Sequence, residues 1–391
     1  MQGIPAYDIR ILWEGNTMID LPLKKLRPGM VTAQSIYNSS GASYLTKGTE
    51  LTRQYIDKLS SLGINDLHVL SYSSEIQLMP PEDILSEKTR IMAIRRVCDV
   101  FSQIEKTGTF EFEPLAKAAL AMVSDIATRN GNLVQLTDIR VHDEYTFAHS
   151  VNVAMLSGML GKLAGLPETG VQELTMGALL HDLGKIIVPP EILNKQGRLT
   201  KNEYDIIKHH PEAGFAKIRS MSLPDTHLLG VVALQHHEHL DGTGYPARRK
   251  GNEIHPYGRI CAIADVYDAL TSSRPYKKAY SPAVAYHIMT NCSEGQFDER
   301  LMKLFFSNVA IYPVGTVVKT TEGYGIVKKV EFGLTDRPMV VMYADLEGNI
   351  LPKPYEECLH LRPEHKIDSV VDDSMLLIKI RESGFDPASL L

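Results

Sequence analysis

The placement of histidine is the feature of this sequence that most constrains its fold. Ten of the 14 histidines lie between His142 and His255. Apolar periodicity predicts consecutive helices over the same stretch, near residues 143–165, 168–183, 201–209, 226–238, 256–272 and 281–291. Side chains on consecutive helices can point into one bundle core, which is a recurrent place for di-metal sites. The pattern therefore predicts a helical bundle with a polar, metal-binding interior.

Seven residues of this stretch are the candidate metal ligands. Mixed imidazole and carboxylate ligands suit iron, manganese, nickel or zinc, and the absence of cysteine ligands argues against a structural zinc knot. The alternative is a set of hydrogen-bonded core histidines, which is a good account of any one of them but a poor one of all seven. The candidates are His149, His181, Asp182, His210, His236, His237 and Asp265.

The predicted chemistry follows from these residue types. Two cations about 3.5–4 Å apart need a bridging anion, and Asp182 can offer one oxygen to each. Water held between two such cations loses a proton near neutral pH and becomes a nucleophile for phosphorus. Lys185, three residues further on, could place a positive charge on a phosphate oxygen, and its alternative is a solvated lysine at a helix end.

Two further segments follow the histidine pair. The sequence DGTGYP at 241–246 is a glycine-proline loop that could approach a ligand or could be an ordinary tight turn. The sequence SSRPYKKA at 272–279 carries Arg274, Lys277 and Lys278 beyond the Asp265 helix. Arginine offers a bidentate fork to phosphate and lysine a point charge, although such a cluster alone is usually a solvated face.

Together these motifs resemble the HD-GYP family, a branch of the HD metal phosphohydrolases. The resemblance covers roughly residues 140–312 and is carried by HDLGK, KHHPEAG, HHEHLDGTGYP and RICAIADVYDALTSSRPYKKA. It implies a bacterial cyclic di-GMP phosphodiesterase that forms pGpG and often GMP, and it implies the same seven metal ligands. It also implies positions near the substrate phosphates for Lys185, Asp268, Arg274 and Lys277, and a site-shaping or partner-contacting loop at Gly244, Tyr245 and Pro246.

One position departs from the family pattern. Members that hold three metals resemble each other in a Glu four residues before the first histidine, and here that position is Tyr145, with Glu144 one place off. Glu144 is about 100° round the helix from Tyr145 and should point elsewhere. We therefore expect two divalent ions per chain, Fe or Mn first and Ni or Zn as alternatives.

The fold class predicted is mainly α, with a helical HD-type phosphohydrolase core flanked by a small N-terminal α+β module and a small C-terminal β module. Residues 1–80 form the first module, 82–130 a helical connector, 131–312 the phosphodiesterase domain, 313–362 an SH3-like β module and 363–391 a charged tail that ends in a loose helix. The apolar stripes of the connector face the protein's own core, with a homodimer seam as the alternative.

Composition excludes several other classes. The formal net charge of −6 makes bulk capture of DNA or an anionic membrane a poor expectation. No apolar run is long enough to predict a membrane span, and the start of the chain does not read as a signal peptide. The four cysteines are scattered, which fits the cytoplasm.

Cyclic di-GMP is the expected substrate, and a diguanylate cyclase or other signalling protein is the expected partner of the GYP loop. The alternatives are another nucleotide substrate, or a binding module without turnover.

Overall fold

The structure is a computed structural model of the whole chain. It describes residues 17–32, 35–37, 43–46, 48–61, 64, 66–71, 84–128, 145–193, 195, 197, 199–221, 226–272, 280–291, 295–314 and 316–371. These residues fall into two compact units. One is the helical stretch from 83 to 311, and the other takes in the residues before 83 and those from 312 onward.

The described part of the helical unit is built from eleven α-helices and two 3₁₀ segments, at Leu183–Ile187 and Gly251–Glu253, which confirms the mainly α prediction. The helices are α2 (Glu87–Thr107), α3 (Phe112–Thr128), α4 (Tyr145–Leu163), α5 (Glu168–Leu179), α6 (Pro190–Leu193), α7 (Lys201–Ile207), α8 (His210–Arg219), α9 (Thr226–Gln235), α10 (Pro256–Thr271), α11 (Pro282–Asn291) and α12 (Glu299–Phe306).

Local sequence signals account for where several of these helices begin and end. The Ser86 hydroxyl accepts from the Thr89 amide at the start of α2, and Gly108 ends that helix in the left-handed region at φ 77°. Thr200 and Glu203 form a capping box at the start of α7. Asp298 caps α12 by accepting from two backbone amides.

Helix α4 is the central element of this unit, because it packs against α2, α3, α5, α10 and α12. Most of its apolar side chains are buried, and Val151, Leu156 and Leu160 are fully so. Helices α8 and α9 pack against each other, and α8 also packs against the 3₁₀ segment at Leu183–Ile187. The packing brings the ends of α5, α7 and α9 together beside α4 and α10.

Several helix ends differ from the sequence-based expectation, among them that of α9, which ends at Gln235 rather than at 238. Helix α5 ends at Leu179 rather than at 183, so His181 and Asp182 lie in the turn that precedes the 3₁₀ segment. The expected helix at 201–209 ends at Ile207, and a new helix begins at His210 with Pro211 in its first turn. Proline is well tolerated there because its missing N–H would have no partner within the helix.

The N-terminal part of the other unit is a small α+β structure. Its three-stranded sheet has the order β1-β5-β2, all antiparallel, and β3 pairs with β4 in a separate two-stranded antiparallel sheet. Ile56 and Leu59 of α1 are buried in the same apolar cluster as Leu67 and Val69 of β5. The elements are β1 (Thr17–Pro22), β2 (Val31–Thr32), β3 (Ile36–Tyr37), β4 (Ser43–Leu45), α1 (Arg53–Ser61) and β5 (Asp66–Ser71).

The C-terminal part is a five-stranded antiparallel sheet with the order β10-β6-β7-β8-β9. The strands are β6 (Val317–Thr320), β7 (Gly323–Lys329), β8 (Met339–Ala344), β9 (Ile350–Cys358) and β10 (Ile367–Val370). The first four lie within residues 313–362, where the sequence predicted a β module. Strand β10 lies in the segment expected to be a tail and pairs with β6, whereas the helix expected at the end of the tail lies outside the described residues.

Within the described ranges, no helix combines the length and the apolar character needed to cross a membrane.

Candidate metal centre

Asp182 lies at the centre of the predicted ligand set, and its two carboxylate oxygens face two different groups of imidazoles. Oδ2 lies 3.4 Å from His181 Nε2 and 3.9 Å from His149 Nε2. Oδ1 lies 3.5 Å from His210 Nε2 and 3.9 Å from His236 Nε2. The side chain is 2% exposed. One carboxylate thus joins two clusters of nitrogen atoms, as a bridging ligand between two cations would.

A close backbone approach places Asp182 there. Gly184 in the 3₁₀ turn packs against the start of α8, and a Cβ at this position would lie 1.9 Å from the carbonyl oxygen of His210. No side chain could be accommodated without moving one of these segments. Glycine at 184 is therefore what allows the turn carrying His181 and Asp182 to meet the helix carrying His210.

Three of the histidines are oriented in the same way. Each lies at or just beyond a helix end, and its Nδ1 donates to a backbone carbonyl three residues earlier. The distances are 2.7 Å from His181 to Ala178, 2.7 Å from His210 to Ile207 and 2.8 Å from His236 to Ala233. Because Nδ1 carries the proton in each ring, the Nε2 lone pair points into the cluster, as a metal ligand requires.

The inward nitrogens fit a bound cation better than they fit an ordinary hydrogen-bonded core. His210 Nε2 and His236 Nε2 lie 3.2 Å apart, although both carry lone pairs. His181 Nε2 is buried and accepts no hydrogen bond from any described residue. Facing lone pairs and an unsatisfied buried nitrogen are costly alone, and a divalent ion would satisfy all three atoms.

Asp265 and the remaining two histidines complete the set. Asp265, on α10, lies 3.1 Å from His149 Nε2 and 4.0 Å from His181 Nε2 through Oδ1, and 3.9 Å from His237 Nδ1 through Oδ2. Three overlapping groups have ligand atoms within 4.8 Å of one another, and together they contain all seven predicted residues. The groups are His210-His236-His237, His149-His181-Asp182 and His181-His236-Asp265.

Burial keeps four of the imidazoles neutral. It lowers the pKa of His210 to about 4 and that of His237 to about 3. It also lowers the pKa of His181, and it holds the pKa of His236 well below its usual range. Neutral imidazole is the metal-binding form, so these four ligands need lose no proton at neutral pH.

His149 and the two carboxylates behave differently. Burial alone would lower the pKa of His149, but hydrogen bonds with Asp265 and Asp268 outweigh it and raise the pKa to about 9. Burial alone would raise the pKa of both Asp182 and Asp265. The Lys185 ammonium and the imidazoles hold the pKa of Asp182 well below its usual range, and the hydrogen bond from His149 does the same for Asp265. Both carboxylates are therefore charged at neutral pH.

Of the predicted phosphate contacts, the structure describes Lys185 and Asp268. Lys185 lies beside the central carboxylate, with Nζ 2.5 Å from Asp182 Oδ2 and a side chain that is 24% exposed. Asp268 is buried on α10 and accepts hydrogen bonds from His149, Asn152 and Ser272. Arg274, Lys277 and Lys278 lie outside the described residues, as does Glu144. Tyr145 is the first residue of α4.

The GYP loop lies directly against the centre. The Tyr245 ring stacks on His237 with ring centroids 4.7 Å apart and an interplanar angle of 24°. Tyr245 N also donates to the His237 carbonyl, and a Cβ at Gly244 would lie 2.3 Å from His239 N. Pro246 follows directly. The loop therefore contacts one of the predicted ligands through both its ring and its backbone.

Two structural contributors were not singled out from the sequence. Glu238 is 3% exposed, and its carboxylate accepts from the amides of Ala247 and Arg249, which fixes the GYP loop. Asn152 donates to Asp268. The position of Glu238 directly after the histidine pair was a usable signal, whereas Asn152, three residues after His149, had none.

Comparison with known proteins finds relatives of the segment that carries this centre. Residues 122–301 match the family model described as the HD domain. The matched segment also contains the sequences HHE and GYP.

Relatives of this segment are named phosphodiesterases. It is 41% identical over 191 residues to a cyclic di-GMP phosphodiesterase of Pseudomonas aeruginosa, covering 49% of this chain and 46% of that protein. It is 39% identical over 211 residues to a cyclic di-GMP phosphodiesterase response regulator of Xanthomonas campestris, covering 52% and 56%. A 3′3′-cGAMP-specific phosphodiesterase of Vibrio cholerae is 33% identical over 177 residues, covering 45% and 34%. The chain thus spans about half the length of the first two relatives and about a third of the length of the last.

Proposed function

We propose that this chain is a metal-dependent phosphodiesterase that hydrolyses cyclic di-GMP to pGpG, and in a second step to GMP, and so lowers the level of this second messenger in bacterial signalling. The observation that carries the proposal is Asp182, whose two oxygens face two separate imidazole groups. This arrangement supports a two-ion centre, which suits in-line attack on a phosphodiester. The names of the relatives support the choice of substrate.

The proposed cofactor is a pair of divalent ions, Fe or Mn first and Ni or Zn as alternatives. His149, His181 and Asp265 would hold one ion and His210, His236 and His237 the other, with Asp182 shared. Bound there, the two ions would supply Lewis acidity to a phosphoryl oxygen and activate water as a nucleophile. Nitrogen and carboxylate ligands without cysteine are consistent with all four metals.

The chain's own residues would add charge and shape. The Lys185 ammonium reaches the centre from its open side, where it would stabilise the charge that develops on phosphate oxygens. The Tyr245 ring holds His237 in place through the stacking contact. Arg274 and Lys277 are proposed as further phosphate contacts on the resemblance alone.

A different cyclic dinucleotide is the second candidate substrate. The relative that is specific for 3′3′-cGAMP differs from this chain at two thirds of the aligned positions, as do several cyclic di-GMP enzymes. The two substrates share the sugar-phosphate ring and differ in one base. The same centre would therefore serve either substrate, and the base contacts would set the choice.

Two kinds of protein contact are also proposed. The GYP loop would contact a signalling partner such as a diguanylate cyclase, because Asp241 and Thr243 of the loop are exposed. The second proposed contact is with another copy of this chain, in a homodimer. Neither contact is needed for hydrolysis at the centre.

The test is an assay with a substrate panel. Protein purified without oxygen is loaded with Mn²⁺ or Fe²⁺, incubated with cyclic di-GMP or 3′3′-cGAMP, and resolved by chromatography. We expect pGpG from cyclic di-GMP and no product after chelation or in Asp182→Asn. Preferred cleavage of 3′3′-cGAMP would make that dinucleotide the substrate in place of cyclic di-GMP. Metal-loaded protein that binds both dinucleotides and cleaves neither would overturn the proposed enzymatic activity in favour of a binding module.

A further inference from the structure

Arg90 is a buried arginine on α2. It lies outside the segment that matches the HD domain and outside the motifs that carry the candidate ligands and the GYP loop. Its side chain is 3% exposed. The guanidinium Nη1 donates to Asn152 Oδ1 at 2.6 Å, and Nη2 lies 3.4 Å from Met155 Sδ. Buried arginines are rare unless they are paired, and two of the partners of Arg90 lie on α4.

The hydrogen bonds continue from Asn152 to the metal centre. Asn152 Nδ2 donates to Asp268 Oδ1 at 2.8 Å, and Asp268 Oδ2 lies 2.7 Å from His149 Nδ1. The direction of the chain is fixed chemically, because a guanidinium can only donate and a carboxylate can only accept. The amide oxygen of Asn152 must therefore face Arg90 and its NH₂ group must face Asp268.

We propose that Arg90 is a positioning residue of the metal centre, acting through Asn152 and Asp268 to hold the His149 ring with Nε2 toward the bound ion. This inference rests on the metal centre of the proposed function. It extends the centre to a helix that precedes the matched HD domain.

The geometry explains why the residue is an arginine. With the guanidinium removed, the Asn152 amide oxygen would lose its charged donor, and the hydrogen bond to Asp268 would be left to hold the amide. The Asn152–Asp268 contact, and through it the His149 ring, would then be less firmly fixed. Removing a group that orients a metal-ligating histidine typically costs about 10–100-fold in metal affinity.

The test is a Mn²⁺ titration of metal-free full-length protein, followed by the loss of the free-ion electron paramagnetic resonance signal, so that turnover is not needed. We expect Arg90→Met to weaken one of two binding steps by about 10–100-fold. Arg90→Lys, which keeps a donor for Asn152, should lose less. Arg96→Met is the matched control, because Arg96 lies on the same helix with a 42% exposed side chain paired to Asp99.

A double variant separates positioning from a general loss of packing. Asn152→Leu breaks the same series of hydrogen bonds at its next residue. The double variant Arg90→Met with Asn152→Leu should therefore bind Mn²⁺ no more weakly than the weaker of the two single variants. Additive losses, or both single variants binding Mn²⁺ as tightly as wild type, would overturn the inference. If Arg90→Met fails to fold by circular dichroism, Arg90→Lys and Asn152→Leu decide in the same way. Wild-type protein that binds no Mn²⁺ would overturn the metal centre itself.

Discussion

Asp268 Oδ2 lies 2.7 Å from Nδ1 of His149, and both side chains are buried. The family resemblance suggested that Asp268 lies near the substrate phosphates. Its carboxylate instead accepts from His149, Asn152 and Ser272, and a second anion such as phosphate would be repelled by it. The geometry favours a role for Asp268 in orienting the His149 ring.

The two imidazole groups predict a stepwise loss of metal. Wild type should hold about two ions per chain and Asp182→Ala almost none, because removing the shared carboxylate leaves two cations to repel each other. His149→Ala should keep about one, since the group around His210 remains intact. The measurement is elemental analysis after desalting, with the exposed His227→Ala as the control. Two ions retained in Asp182→Ala would contradict the bridging role.

The number of bound ions tests whether tyrosine at position 145, where three-metal members of the family have glutamate, excludes a third ion. A third ion needs its own anionic ligand, and residue 145 lies one turn before His149 on the same helix. Tyrosine offers only a neutral phenol, with an ordinary pKa near about 10. We expect Tyr145→Glu to gain partial occupancy of a third site in anomalous scattering. Three fully occupied sites in wild type would show that another residue, such as Glu144, supplies the ligand.

Lys185 should affect turnover without affecting metal content. Lys185→Met removes a positive charge beside Asp182 but none of the seven ligands, so both ions should stay bound. Turnover should fall by about 10²–10³-fold, the usual cost of losing a positioned transition-state charge. Steady-state kinetics at saturating Mn²⁺ measures the fall, and the exposed Lys201→Met serves as the control. Unchanged turnover in Lys185→Met would assign this lysine to neutralising Asp182 alone.

Metal binding should depend on pH through His149. The pKa of His149 is raised to about 9 in the metal-free protein, so at pH 7 its Nε2 carries a proton that a metal must displace. The other four imidazoles, with lowered pKa values, are already neutral. Affinity for Mn²⁺ should therefore rise about tenfold from pH 7 to pH 8 and level off above about pH 9. Calorimetry measures this, and an affinity that is flat from pH 7 to 8 would contradict it.

Glu238 should control the GYP loop rather than the ions. Glu238→Ala leaves the Ala247 and Arg249 amides without their buried acceptor, which should cost about 1.5–3 kcal/mol of stability. Exchange of these two amides should quicken in hydrogen-exchange mass spectrometry, while metal content stays at the wild-type level. Glu253→Ala, which removes a carboxylate that accepts from the exposed Lys250 amide, is the control. Unchanged exchange at 247 and 249 would show that the loop is held by other contacts.

The sequence predicted the convergence of these seven residues because each of them lies within a local motif. All seven residues converge, and most helix bounds lie within a few residues of those expected. Helix α5 was placed too long because the apolar run continues through the buried turn at Leu180 and Leu183. A turn packed in a core is as apolar as a helix, so periodicity does not separate the two.

Other features depended on contacts that no local pattern records. Strand β9 carries Pro352 and Pro354 and lies at the edge of its sheet, where proline is tolerated but the strand signal is weak. Arg90 reaches its partner Asn152 across 62 residues of sequence. Its role follows only from the packing of α2 on α4.

The most direct test of the two-ion centre is a stoichiometric titration. Metal-free protein receives Fe²⁺ or Mn²⁺ in small increments under anaerobic conditions, and pGpG formation from cyclic di-GMP is measured after each. With two ions joined through Asp182, activity should stay low through the first equivalent, rise through the second and then level off. Full activity after one equivalent, or no cleavage of bound cyclic di-GMP after two, would contradict the account.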